Sequence, residues 1–77
     1  MRTVKEIISE TIGVPVEQIT EELSIGDVPQ WSSMANMTII GTIESEFGVE
    51  IPVEDLFELT NVASIEDEVE KLKNGIA

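Results

Sequence analysis

Cysteine and histidine are both absent from this 77-residue chain, and only four of its residues are basic. Without cysteine there is no disulfide framework and no thiolate metal site, a composition that suits a reducing compartment. Without histidine, the usual base for a serine nucleophile is missing. The lysines lie near the two ends, in solvent-facing helical positions where they stay protonated. Sixteen carboxylates are present, but acid–base catalysis needs a buried cleft to raise a pKa. A chain this short buries roughly 60% of its unfolded surface and encloses no such cleft. It has neither an Asp/Asn-rich calcium loop nor a Gly-Lys phosphate loop. The sequence therefore predicts a protein that is not an enzyme and binds no metal. A bilayer-spanning apolar run is also missing, and Met1 to Glu6 enters a charged amphipathic pattern, unlike a signal peptide. The expectation is one domain over residues 1–77, cytoplasmic and monomeric.

The formal charge is −12. Such a field repels nucleic acid and anionic membranes. It either attracts partners with basic patches or simply keeps a small domain soluble.

The 42% of apolar residues fall at helical spacings. Thr3 and Glu6 form a capping-box pair, Val4, Ile7, Ile8 and Ile12 make one stripe, and Gly13 suits a left-handed stop. A first helix is predicted over about 4–12. A long connection, Val14 to Asp27, follows a helix break at Pro15. Val14, Val16, Ile19, Leu23 and Ile25 are expected to tuck beneath it, with a turn of helix near Glu17–Ile19. The stretch from Val28 to Ile43 carries no charge. Ser32 is placed to cap a central helix from about Ser33 to Phe47, ending at Gly48. Ile39, Ile40, Ile43 and Phe47 face the core, and Met34, Met37 and Gly41 face outward. Pro52 opens a short helix over Val53 to Glu58, with Leu56, Phe57 and Leu59 as its apolar side. Asn61 to Ser64 reads as a turn. Ser64 caps a last helix, with Asp67 as reciprocal partner and Glu66, Asp67 and Glu68 at its positive end. Ile65, Val69 and Leu72 form that helix's buried stripe, with Lys71 and Lys73 at its negative end. Three amphipathic helices and a short one predict an all-α bundle.

An amphipathic helix that needs only a cap has no need of exposed methionines beside it, and methionine suits adaptable partner surfaces. The same helix start seats an anion well, so a phosphate ester on Ser33 is favourably placed. A serine without a base does not catalyse, but it remains a good acceptor.

Trp31-Ser32-Ser33-Met34, Asn36, Ile39-Ile40 and then Glu44 to Pro52 resemble the acyl carrier protein family. There, Asp-Ser-Leu opens the second helix and Glu-Glu-Phe-X-X-X-Ile-Pro follows at this distance. The resemblance runs over nearly the whole chain. It implies a four-helix bundle of the acyl-carrier type, with three main helices, a short third helix and a long first loop. It implies that Ser33 receives 4′-phosphopantetheine from coenzyme A through a phosphopantetheinyl transferase, and that the arm's thiol holds acyl groups as thioesters for acyl-loading and acyl-transferring enzymes. It further implies an acyl pocket between the central and short helices, lined by residues such as Ile43, Leu56 and Leu59. Ser32 stands where the family has an acid and Met34 where it has leucine. Ala35, Asn36, Thr38 and Thr42 replace acids along the second helix. A partner face of Trp31, Ser32, Met34, Met37, Gly41 and Glu44 therefore suggests dedicated partners that grip apolar surface, in a specialised lipid or secondary-metabolite pathway. The alternatives are an aminoacyl or peptidyl carrier resembling D-alanyl carriers, and an unmodified acidic helical interaction module.

Overall fold

A computed structural model describes residues 2–75. Three α-helices enclose one core: α1 (Val4–Ile12), α2 (Ser33–Phe47) and α3 (Val62–Lys73). Two 3₁₀ helices complete the bundle, a single turn at Val16–Gln18 and a longer one at Val53–Glu58. The predicted all-α arrangement, with its short third helix and long first loop, is the one observed.

Local chemistry accounts for most boundaries. The Thr3 hydroxyl accepts from the Glu6 amide and the Glu6 carboxylate from the Thr3 amide, closing the box that starts α1. Gly13 and Gly48 end α1 and α2 at φ of 73° and 64°, where a side chain would be strained. Ile7, Ile8, Trp31, Ile39, Ile43, Val62 and Ile65 are completely buried. Each large side chain of this kind contributes roughly 1.5–3 kcal/mol by leaving water. α1 packs chiefly on α2, with smaller contacts to α3 and to the first 3₁₀ turn.

The long first loop is stitched down by backbone hydrogen bonds. The Ile25 amide donates to the Thr60 carbonyl at 2.8 Å, Val62 to Leu23 at 3.0 Å and Ala63 to Glu21 at 3.1 Å. Val14 and Ile19 are buried beneath it as expected, but Val16 is exposed on the 3₁₀ turn.

The start of α3 differs from the sequence expectation. Asn61, not Ser64, is the cap: its side-chain oxygen accepts from the Ser64 amide at 2.8 Å, and the Ser64 hydroxyl accepts from the Asn61 amide. The stitched loop fixes this register, because Val62 must donate to Leu23 while its side chain is completely buried. Glu66, Asp67 and Glu68 consequently lie beyond the first turn.

Glu68 is buried instead, with Oε1 3.4 Å from the Lys71 ammonium and Oε2 without a partner among the described residues. Burial first, then the facing Asp55 carboxylate, push its pKa up, while Lys71 opposes them. Glu66 is raised by burial and by Glu21. The folded protein thus binds these protons more tightly than the unfolded chain, so their contribution to stability grows as pH falls from neutral toward the ordinary carboxylate range. Glu46, held low by the Arg2 guanidinium, acts oppositely at still lower pH. Glu68→Gln is expected to raise Tm at neutral pH, because a carboxylate disfavoured by burial and by Asp55 is no longer held charged there. It should also flatten the Tm rise that wild type shows on acidification to about pH 5. Thermal melts at the two pH values check both.

Candidate functional site

The segment before α2 folds back on itself. Gly26, at φ 89°, donates to the Trp31 carbonyl at 2.9 Å, and the Trp31 amide donates to Val28 at 3.1 Å. The turn drives the Trp31 side chain into the core, where it is completely buried. Its indole N–H donates to Asn36 Oδ1 at 3.0 Å, and Asn36 Nδ2 donates to the Leu59 carbonyl at 3.0 Å. One amide thus ties the approach loop, α2 and the end of the second 3₁₀ helix together. Trp31 was expected on the partner face; burial and its hydrogen bond to Asn36 remove it. The role of Asn36 was not legible, since a bond spanning five residues across a turn has no sequence signature.

Ser32 caps α2, its hydroxyl accepting from the Ala35 amide at 3.2 Å, and its carbonyl accepts from the Asn36 amide at 2.9 Å. A helix start leaves its first amides without intrahelical partners, and those of Ser33 and Met34 are the ones still to be satisfied. Ser33 is exposed there, and the first turn carries no acid. The donor set and the neutral turn suit a phosphate.

Beside Ser33 lies an open cleft of about 560 Å³ between α2 and the second 3₁₀ helix. Met37 and Gly41 form part of one wall, and Leu56 and Phe57 the other. Of the three residues expected to line an acyl pocket, only Leu56 borders it. Ile43 and Leu59 are 0% and 4% exposed, spent on the core. Phe57, expected on the apolar side of its helix, is 85% exposed at the cleft rim. Met34 and Met37 are 80% and 75% exposed, and Gly41 is exposed with them. Glu44 borders the far end, its Oε2 accepting from the Ile51 amide at 2.8 Å, which pins the turn after α2. Among the described residues no cluster of potential metal ligands occurs, and no helix is long and apolar enough to cross a membrane.

A small helical bundle with an exposed serine at the positive end of its second helix, beside an apolar cleft, has the form of a carrier domain. The profile of the phosphopantetheine attachment-site family matches residues 2–69. An acyl carrier protein of Thermotoga maritima is 38% identical over 68 residues, covering 88% of this chain and 84% of that protein. The solution structure of a holo acyl carrier protein from Geobacter metallireducens superposes with a TM-score of 0.82, covering 94% of this chain and 83% of that one at 24% identity, a likeness of fold. The chain belongs to the phosphopantetheine-attachment family and, within it, to the acyl carrier proteins. Its prosthetic group is 4′-phosphopantetheine.

Proposed function

We propose that Ser33 is the attachment point and that the chain presents acyl groups to dedicated partner enzymes of a specialised pathway. The observation that carries this reading is the exposed Ser33 hydroxyl at the first turn of α2, with Ser32 already committed as the cap. The Ser33 and Met34 amides would hold the phosphate of the group, and the bound arm supplies a thiol for thioester linkage. Co-expression with a broad-specificity phosphopantetheinyl transferase should add one pantetheine adduct by intact mass. A chain that stays unmodified favours an acidic interaction module instead. Loading by acyl rather than aminoacyl donors separates this carrier from an aminoacyl or peptidyl one.

The partner face comprises Ser32, Met34, Met37, Gly41 and Glu44. Uncharged from Ser33 to Ile43, it favours partners that cover apolar surface over partners that rely on charge. Met37→Glu is expected to raise the KM of the transferase about tenfold, a typical cost for a charge placed in an apolar contact. Glu44→Gln, whose carboxylate is turned to Ile51, should change it little, and KM should depend weakly on salt. A steep salt dependence with an unaffected Met37→Glu variant overturns the face. The cysteine-free composition suits the reducing interior of the cell, where we place its action.

A further inference from the structure

Peroxide has few targets in this chain. Cysteine is absent, and methionine occurs only at positions 1, 34 and 37, Met1 lying outside the described residues. The buried apolar core is built from valine, isoleucine and leucine around the single tryptophan, with no methionine among the described residues. Trp31, another oxidisable side chain, is completely buried. Met34 and Met37 stand apart from this core, both largely exposed. They lie three positions apart on α2, a spacing that makes them neighbours on the helix surface. Met37 also follows Ser33 by about one turn, and the two border the same cleft. The stretch from Ser33 to Ile43 has no charge, so the polarity of these two side chains sets the character of the face. Leucine fills a similar volume and forms helices as readily, and packing makes no demand at either exposed position. What a thioether adds is a flexible grip on partners and a sulfur open to oxidation.

We propose that Met34 and Met37 form a reversible oxidation switch on the face by which this carrier is loaded, with hydrogen peroxide as the oxidant. Each sulfur lone pair attacks one peroxide oxygen. The O–O bond breaks, a sulfoxide S–O bond forms, and proton transfer releases water. Two electrons pass from each sulfur to its peroxide. Sulfoxide reductases reverse the change, two thiols becoming a disulfide as the oxygen departs in water. The sulfoxide is polar and hydrated, so a partner covering this face must strip water where it met apolar surface before. The core loses nothing, because neither methionine is part of it. The assignment rests on Ser33 as the attachment point and on the partner face beside it. Its test treats the full-length protein with hydrogen peroxide, removes the peroxide, and measures the KM of a broad-specificity transferase with coenzyme A. Peptide mapping verifies sulfoxide at both positions. The readout is the ratio of treated to untreated KM, expected at about fivefold in wild type. In Met34→Leu/Met37→Leu, which retains Met1, treatment should leave KM where it started. Sulfoxide reductases of both epimer specificities should return the treated wild type to its untreated KM, and Tm should be the same before and after treatment. An unmoved KM in wild type, an equal rise in the double variant, or a rise that comes with a lower Tm overturns the switch alone. Untreated wild type that takes no adduct overturns the attachment point itself.

Discussion

Replacing Trp31 with alanine should cost about 3–5 kcal/mol, the range for emptying a large buried aromatic site. At about 0.05–0.15 kcal/mol per residue, a chain of this length has roughly 4–12 kcal/mol in total, so the variant loses a large share of its stability. The loss has two parts, which a second substitution separates. Trp31→Phe keeps most of the ring but removes the indole donor, leaving the partly buried Asn36 Oδ1 without it. That variant should lose about 1–3 kcal/mol. Because Trp31 is the only tryptophan, its fluorescence disappears in both variants, and urea unfolding followed by far-ultraviolet circular dichroism is the suitable measurement. An alanine variant within about 1 kcal/mol of wild type would contradict the burial seen here. The effect also reaches the cleft, since the same Asn36 amide holds the Leu59 carbonyl at the end of the 3₁₀ helix.

Ser32 and Ser33 are neighbours with opposite expected phenotypes. Ser32→Ala removes the α2 cap and should lower stability by about 1 kcal/mol, or ~4–8 °C in Tm, while the protein still takes its pantetheine adduct. Ser33→Ala should leave Tm unchanged, because alanine is a better helix former at an exposed first-turn position, and should abolish the adduct completely. Intact mass and thermal melts of the same two samples read both effects. An adduct retained in Ser33→Ala and lost in Ser32→Ala would reverse the assignment.

Elements governed by near neighbours were legible in the sequence. The Thr3–Glu6 box, the Gly13 and Gly48 stops and the Ile39–Ile43 face all follow from contacts within a turn or two. Where the reading failed, distant chain made the decision. Asn61 and Ser64 are both good caps, and the hydrogen bonds from Val62 and Ala63 to the long loop chose between them. Trp31 sits in an uncharged run beside exposed methionines, and only the fold-back turn at Gly26 shows that it points inward. Phe57 follows Leu56 in a 3₁₀ helix, whose tighter winding leaves Leu56 at the cleft and Phe57 at its rim. At the site, Met34, Met37 and Gly41 emerged from helical spacing, and Ser33 from the family resemblance. The cleft wall did not, because it depends on how a six-residue 3₁₀ helix lies against α2.

The stitching of the long loop to the start of α3 makes three amides into reporters of how the molecule opens. Ile25, Val62 and Ala63 donate to carbonyls 35–42 positions away, so fraying of a single helix does not expose them to deuterium. Their exchange should therefore proceed together, at a common slow rate set by the separation of the two halves of the chain.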